Sequence, residues 1–280
     1  MKMNNPLAWA RTFLFVPGDR PDRFEKAAKA GADVVVLDLE DAVSVSSKAG
    51  ARAAIAGAWP RVASVDVPVV LRINSPETSA GCDDLALAAD LRGLAAVMVP
   101  KAEKPQTLEA VTAALPGVPT IPLIESAAGY ANLDRIAAAP GVVRIAIGHI
   151  DFLADTGMQC SDGEPELDPL RFAVAIATRT NKLAAAVDGI TVEIDAPDRL
   201  EADTRRSLRF GFGAKLCIHP RQVQAIHDAM RPTPAEESWA RRVIAADSQA
   251  DGAAVQVDGR MVDMPVVAQA RRLLARIREA

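Results

Sequence analysis

Acidic side chains follow several of the short apolar runs in this sequence. Asp38-Leu39-Glu40-Asp41 follows one run, Glu125-Ser126 a second and His149-Ile150-Asp151 a third. Burying several carboxylates together without a partner is costly in free energy, and a bound cation is the simplest way to offset that cost. Oxygen ligands without a His/Cys cluster suit magnesium or manganese better than zinc. The sequence therefore predicts a site for a hard divalent cation.

Further polar residues end other apolar runs. They are Arg72 and Asn74, Lys101, Glu193 and Asp195, and His219. Arg72 could hold a substrate carboxylate through two parallel hydrogen bonds, or it could pair with the acidic block around Asp38, and both roles can hold at once. Lys101 would need an apolar pocket that lowers its pKa to form a Schiff base, and the sequence indicates none. His219 is expected to close its strand, and His227 to lie on a helix surface.

Eight apolar runs rich in β-branched residues recur along the chain, each followed by a segment with helical periodicity. The predicted strands lie at 11–17, 33–39, 68–73, 95–100, 119–125, 142–148, 189–194 and 214–219. Eight β-α units are typical of a closed parallel barrel, whose catalytic groups gather where the strands end. An open doubly wound sheet would need a glycine-rich turn after the first strand, and PGDRP is not one. The predicted fold class is α/β, a (β/α)8 barrel with a C-terminal helical and hairpin extension.

The pattern changes beyond residue 220. Helices are predicted at 221–229, 235–250 and 265–277, and the alternating segment AAVQVDGRMVDM is centred on Asp258-Gly259, a hairpin-turn signal. We therefore predict a barrel at residues 1–230 and a C-terminal arm at 231–280. The arm is expected either to cap the barrel or to pack on a neighbouring subunit.

Composition and charge narrow the class of protein. The chain has 280 residues and a net charge of −4 with both signs interspersed, which argues against nucleic-acid and membrane-surface partners. Cys82, Cys160 and Cys217 are scattered and lack metal-site spacing, which favours reduced thiols. No signal-peptide core and no membrane-length apolar run occurs. A cytoplasmic protein is expected.

Six blocks of the sequence resemble, in order, those of the citrate lyase β-subunit-like family. They read RTFLFVPGDRPDRFEKA, VVVLDLEDAV, VVLRIN, PLIESAAG, GHIDFLADTG and KLCIHPRQV. That family includes citryl-CoA, malyl-CoA and citramalyl-CoA lyases and lies within the HpcH/HpaI aldolase group. The resemblance covers essentially the whole chain. It implies a TIM barrel, a homotrimer or hexamer, a Mg²⁺ ion and an acyl-CoA or 2-oxo-acid substrate.

The same resemblance implies roles for individual residues. The metal carboxylates fall on Glu125 and Asp151, and the arginine that holds the substrate carboxylate and assists catalysis falls on Arg72. The family's acidic block falls on Asp38, Glu40 and Asp41. Asp38 and Glu40 are expected to face the substrate, whereas the position of Asp41 before a predicted helix makes it the expected cap of that helix. Two departures stand out. His149 replaces a phenylalanine or small residue, and the seventh strand, TVEIDAPDRL, is unusually acidic.

A late motif, GRMVDMP, resembles the tail of the lyases that keep a complete C-terminal arm. In those enzymes an aspartate, here Asp263, enters the neighbouring subunit's site as general acid/base. Asp263 is therefore the expected proton donor to, or acceptor from, the acyl-CoA half. For the CoA phosphates no fingerprint is present. Arg20, Arg23 and Lys26 are candidates, or they form only a solvated surface.

The expected function is a Mg²⁺-dependent carbon–carbon lyase, with Mn²⁺ as an alternative ion. Its substrate would be a 3-hydroxyacyl-CoA such as citryl-, malyl- or citramalyl-CoA, cleaved to an acyl-CoA and a 2-oxo acid. Two alternatives stay open. One is a CoA-independent class II aldolase, and the other is a β subunit that is active only within a citrate lyase complex.

Overall fold

Eight parallel strands close into a barrel in the computed structural model, which describes residues 6–249 and 255–278. Each strand pairs with the next, and the first pairs with the last. The strands are β1 Thr12–Pro17, β2 Val34–Asp38, β3 Val69–Arg72, β4 Ala96–Val99, β5 Thr120–Ile124, β6 Ala146–Ile147, β7 Val187–Asp188 and β8 Ala214–Cys217. This arrangement confirms the predicted TIM barrel.

Alternating side chains of the strands fill the barrel interior. Phe13, Val34, Val36, Met98 and Leu216 belong to one buried cluster, which draws on all eight strands. Residues between these positions, such as Val35 and Leu37, are also buried because helices cover the outer face of the sheet. Burial on both faces explains why the predicted strands read as nearly continuous apolar runs.

Nine helices follow the first seven strands in the described residues, and a tenth follows β8. They are α1 Phe24–Ala28, α2 Lys48–Val62, α3 Ser79–Asp90, α4 Pro105–Ala114, α5 Ala127–Ala131, α6 Leu133–Ala137, α7 His149–Thr156, α8 Asp168–Thr180, α9 Pro197–Arg209 and α10 Pro220–Met230. Among the described residues, no helix combines the length and apolar content that a membrane crossing requires.

The predicted position of the seventh strand is wrong. β7 lies at Val187–Asp188, before the predicted 189–194, because these two residues pair with β6 and β8. Asp188 is buried and offset by Arg171 at 3.4 Å, so a charged residue interrupts the apolar signal of the true strand. Glu193 and Asp195 consequently lie in the exposed segment before α9 and not at a strand end.

The structure divides into two compact units, the first ending at Ile226 and the second beginning at His227. In the second, α11 Pro234–Gln249 and α12 Met264–Arg278 pack with the hairpin β9 Val255–Val257 and β10 Arg260–Val262. The hairpin turn is Asp258-Gly259, with φ angles of 51° and 76°. A two-residue turn with positive φ at both positions matches the twist of the strands. The predicted helical and hairpin extension is confirmed.

Arg144 is buried at the amino-terminal end of the barrel, just before β6. Its guanidinium donates to the carbonyl oxygens of Leu7 and Ala10, at 2.8 and 2.7 Å, and to that of Ala185. It also lies over an aromatic face, with its Cζ atom 5.3 Å from the centroid of the Phe13 ring. One side chain thus ties the segment before β1 to the segments before β6 and β7.

We predict that Arg144→Met lowers the free energy of unfolding by roughly 3 kcal/mol, because three carbonyl groups, two of them in buried residues, lose a hydrogen bond from the guanidinium. Urea denaturation of the full chain measures this change. Arg135→Met, at an exposed position of α6, is the matched control and should change stability by less than about 0.5 kcal/mol. Equal urea midpoints for the two variants would contradict the structural role of Arg144.

Candidate functional site

A cavity of about 310 Å³ opens at the carboxyl end of the barrel strands. Glu125 and Asp151 both line it, and so does Arg72 at the end of β3. Asp38 and Asp41, from the end of β2 and the loop beyond it, complete its polar wall. The structure therefore brings together residues that are separated by more than a hundred positions, because parallel strands all end at the same rim.

Arg72 is held by two acids of the β2 loop. Its Nε and Nη2 atoms donate to the two oxygens of Asp38 at 2.7 and 2.6 Å, and Nη1 lies 3.0 Å from Oε2 of Glu40. The guanidinium also stacks over Phe15, 4.7 Å from the ring centroid. Burial disfavours the cation, but the hydrogen bonds and charges of Asp38 and Glu40 outweigh this and raise the pKa of Arg72.

Asp38 has further partners besides Arg72. Its carboxylate accepts hydrogen bonds from the backbone N–H groups of Glu40 at 2.9 Å and Ala42 at 3.3 Å. Lys48 braces the same loop by donating to the carbonyl oxygens of Leu39 and Glu40, and Asn74 also donates to Leu39. The acidic loop is thus fixed by its own backbone, and Asp38 orients Arg72.

Glu125 follows β5 and is almost fully buried, with 3% of its surface exposed. Its Oε1 atom accepts a short hydrogen bond, 2.6 Å, from the backbone N–H of Lys101. Gly148 lies directly against it: a Cβ atom there would come within 2.4 Å of Glu125 Oε2 and 2.8 Å of Glu125 Cβ. Position 148 therefore has to be glycine if Glu125 is to keep this orientation.

Asp151 lies in the first turn of α7, which begins at His149 directly after β6. His149 is buried beside Gly189, where an added Cβ would come within 2.1 Å of Nδ1. Its Nε2 atom is 4.0 Å from Oε1 of Glu164, and its Nδ1 atom has no hydrogen-bond partner among the described groups. Burial lowers the pKa of His149, so the imidazole adds no positive charge near neutral pH.

Acidic charge is in excess around the cavity. Burial, together with the charges of Glu40 and Asp151, raises the pKa of Glu125 to about 8. Burial likewise raises the pKa of Glu40 to about 7, although Arg72 opposes this shift. In the absence of another cation, protons neutralise these carboxylates. An arrangement of this kind favours any cation that can replace the proton.

The donor set fits a magnesium ion. The carboxylates of Glu125 and Asp151 line the same cavity and offer oxygen ligands, and one or two carboxylates are what Mg²⁺ commonly takes from a protein. No cluster of three or more His, Cys, Asp or Glu side chains suited to a metal occurs in the described part of the chain. The excess of negative charge beside Glu125 is the observation that supports a cation here.

The remaining candidate residues are the basic side chains of Lys101, Arg20 and Lys26. Lys101 is half exposed, with its Nζ atom 3.4 Å from Glu40 Oε1, and nearby acids, outweighing burial, raise its pKa. Its protonated amine does not suit a Schiff base. Arg20 and Lys26 are exposed in the loop and helix after β1, and Arg20 pairs with Asp22 at 3.1 Å.

Two local expectations are wrong. Asp41 does not cap a helix: the next helical turn starts at Val45 and α2 at Lys48, and Asp41 lines the cavity instead. His227 is buried, with 8% of its surface exposed, and is not on the surface of its helix. His219 accepts from the backbone N–H of Arg221 through Nδ1, in agreement with its expected structural role.

Asp263 belongs to the second unit. Its Oδ1 atom accepts a hydrogen bond from the N–H of Val266 at 3.3 Å, the geometry of a residue that caps α12. The side chain is only partly buried. A capping role is therefore present within the unit, and the catalytic role of Asp263 stays a prediction.

Sequence reasoning missed three residues that shape the site. Phe15 stacks on Arg72, Gly148 makes room for Glu125, and Lys48 fixes the acidic loop. Phe15 could have been found from the alternation of side chains in β1. It lies two residues after the interior residue Phe13, so both side chains point to the same face of the strand. Nothing in the local sequence predicts the Lys48 contacts, since they depend on how the loop folds back.

Comparisons with known proteins agree with this geometry. The family model described as HpcH/HpaI aldolase/citrate lyase matches residues 11–220. A citrate lyase subunit beta-like protein of Deinococcus radiodurans is 34% identical, covering 98% of this chain and 99% of that protein. A (3S)-malyl-CoA thioesterase of Cereibacter sphaeroides is 31% identical, covering 95% and 94% respectively.

A solved structure shares the fold closely. The CitE protein of Mycobacterium tuberculosis, in complex with magnesium, acetoacetate and coenzyme A, superposes with a TM-score of 0.85 at 33% identity. The match covers 96% of this chain and 98% of that one. By its barrel, its sequence and these relatives, the chain belongs to the HpcH/HpaI aldolase/citrate lyase family.

Proposed function

We propose that this protein is a Mg²⁺-dependent carbon–carbon lyase that cleaves a 3-hydroxyacyl-CoA into an acyl-CoA and a 2-oxo acid, or catalyses the reverse condensation. Citryl-, malyl- and citramalyl-CoA are the candidate substrates. The observation that carries the proposal is the cavity at the strand ends, where Glu125, Asp151 and Arg72 converge. The relatives' names, which include a citrate lyase subunit beta-like protein, support the same reaction class.

Glu125 and Asp151 would hold the metal, with Mn²⁺ as an alternative. When bound, the ion supplies Lewis-acid polarisation of substrate oxygens. Both carboxylates must be ionised to serve as ligands, and the backbone N–H of Lys101 favours the ionised form of Glu125. Asp38 and Glu40 would act mainly by fixing Arg72, and through it the substrate.

Arg72 would bind the carboxylate of the oxo-acid half. Its guanidinium is rigidly held by Asp38, Glu40 and Phe15, so its charge is positioned before substrate arrives. A fixed positive charge beside the reacting group stabilises the negative charge that develops as the carbon–carbon bond breaks. The cavity is large enough for this half of the substrate.

Asp263 would exchange the proton with the acyl-CoA half, from the arm at residues 231–280 of a neighbouring subunit. A homotrimer or hexamer is part of this proposal. Arg20 and Lys26 would lie near the CoA phosphates, which suits their exposure after β1. A cytoplasmic location is proposed as well, since Cys82, Cys160 and Cys217 are all unpaired.

The pH dependence of Mg²⁺ binding is one test of the metal site. Glu125 has a pKa of about 8, raised from an ordinary value of 4.5, so the metal-free protein loses stability as pH rises through this range. Because Mg²⁺ must displace the proton, its affinity should rise about tenfold per pH unit below pH 8 and level off above. Calorimetric titration at several pH values measures this slope.

Glu125→Gln is the control for that experiment. It should bind Mg²⁺ weakly and with little pH dependence, since the amide does not titrate. A wild-type affinity that is the same at pH 6.5 and pH 8.5 would show that Glu125 is not a ligand.

Gly148→Ala should weaken Mg²⁺ binding by at least about tenfold while the barrel stays folded, because the new methyl group displaces the Glu125 side chain. Calorimetry and thermal unfolding measure the two effects. Gly57→Ala is the matched control, since its added Cβ meets nothing within 4 Å inside α2. Unchanged affinity in Gly148→Ala would contradict the role assigned to Glu125.

Citryl-, malyl- and citramalyl-CoA, each assayed with and without Mg²⁺, test the lyase function itself. At least one should release its oxo acid only with the metal, and free CoA thiol should be measured in parallel because one relative is named a thioesterase. A CoA-independent aldolase would cleave a free hydroxy-oxo acid instead. Gel filtration and activity of the isolated protein test the third alternative, a subunit active only in a complex.

Asp263→Asn should retain Mg²⁺ binding and lose turnover by about 100-fold or more, since the amide cannot exchange a proton. Asparagine also caps helices well, so α12 should persist. Asp258→Asn, which changes an exposed acid in the turn of the preceding hairpin, is the matched control and should keep full turnover. Full activity in Asp263→Asn would remove this residue from the mechanism.

A further inference from the structure

Lys101 adopts a backbone conformation that residues with a side chain rarely take. Its φ angle is 46°, in the left-handed region that favours glycine. The residue follows Pro100 directly beyond β4, at the end of the barrel where the strands stop. A non-glycine residue in this region is strained, and the strain persists only where the surrounding structure requires the conformation.

The chain on both sides of Lys101 is held in place. Before it, Val99 pairs with β5. After it, the backbone N–H of Ala102 donates to the carbonyl oxygen of Leu123 at 3.3 Å. The carbonyl oxygen of Ala102 also packs against Gly129, where an added Cβ would come within 2.8 Å of it. Because both flanks are fixed, the conformation of residue 101 decides the direction of the peptide group that carries its N–H.

That N–H group points at Glu125. It donates to Oε1 at 2.6 Å, the one hydrogen bond that this carboxylate accepts from the described residues. Oε2 lies on the other side of the carboxylate, against Gly148, where an added Cβ would come within 2.4 Å of it. One oxygen is thus held by a hydrogen bond and the other by packing. Turning the Lys101 N–H away would release the carboxylate on one side.

We propose that Lys101 is a positioning residue that acts through its main chain: its left-handed conformation directs its N–H at Glu125 and holds that carboxylate in the orientation that binds the ion. The inference rests on the proposed binding of Mg²⁺ by Glu125 and Asp151. The lysine side chain has a different neighbour, since Nζ lies 3.4 Å from Oε1 of Glu40, and it is half exposed. It can therefore be replaced without leaving a buried void.

Three variants separate the main chain from the amine. Lys101→Gly takes a positive φ without strain, Lys101→Met keeps an unbranched side chain, and Lys101→Val is branched at Cβ and strongly disfavours this conformation. All three lack the amine, so they are compared at constant charge. Calorimetric titration with Mg²⁺ should show the Gly and Met variants within about threefold of each other. The Val variant should bind at least about tenfold more weakly.

Lys182 offers a matched control. It is also a lysine with a left-handed backbone, φ 56°, but it is exposed in the turn after α8 and does not line the cavity. Thermal unfolding should show that Lys182→Val and Lys101→Val are both destabilised, whereas only Lys101→Val should lose Mg²⁺ affinity. If Lys101→Val does not fold, Lys101→Thr takes its place, because it has the same branching with a polar side chain.

A second readout needs no metal. Lysine-selective ¹⁵N labelling of the metal-free protein identifies the Lys101 amide in an NMR spectrum by its absence in Lys101→Met. A short hydrogen bond to the carboxyl group of Glu125 should place the Lys101 amide proton downfield of the other lysine amides. Glu125→Ala should return it to the ordinary range.

The outcomes distinguish this inference from the proposed function. Equal Mg²⁺ affinities for Lys101→Gly and Lys101→Val, or an ordinary shift for the Lys101 amide, would overturn the inference while Mg²⁺ binding stands. If the wild-type protein binds no Mg²⁺, the proposed function fails instead. A downfield Lys101 amide that Glu125→Ala abolishes would still support the orientation of Glu125 by residue 101.

Discussion

Negative charge that the protein's own cations cannot offset is the constraint on which the site depends. Glu125 is almost fully buried, shares a cavity with Asp151 and lies close enough to Glu40 for the charge of Glu40 to raise the pKa of Glu125. Arg72, the one arginine among the described residues that line the cavity, is paired with Asp38 and Glu40. In the metal-free protein, protonation relieves the repulsion between these carboxylates. A bound divalent ion would relieve the same repulsion and attract the ionised carboxylates more strongly than a proton-neutralised site can. The fold maintains this balance by holding each acid rigidly.

The barrel makes such rigidity possible. Each acid or arginine lies at the end of a strand or in the segment that follows it, and the strand residues before it are buried in the core. Backbone N–H groups hold the carboxylates of Asp38 and Glu125 in place. Gly148 shows how closely the elements approach, since even one methyl group would collide with Glu125. Small shifts at this rim are therefore expected to alter ligand geometry more than stability.

Much of this arrangement could be predicted from sequence. Seven of the eight strands lie where the apolar runs predict, and the Asp258-Gly259 turn forms the predicted hairpin. The apolar pattern predicts β7 too late in the chain because the buried charge of Asp188, offset by Arg171, interrupts the pattern of the true strand. The sequence predicts Asp41 as a helix cap, but α2 begins only at Lys48, too far along the chain for Asp41 to cap it. Packing against Gly148 and the bracing by Lys48 depend on tertiary contacts that no local pattern encodes.

The direct test of the account is a crystal structure of the protein soaked in Mn²⁺, with anomalous scattering used to locate the ion. The account predicts one strong anomalous peak in the cavity at the strand ends, bonded to carboxylate oxygens of both Glu125 and Asp151. A peak bound elsewhere, or a cavity without an ion and with the two carboxylates directed apart, would contradict it.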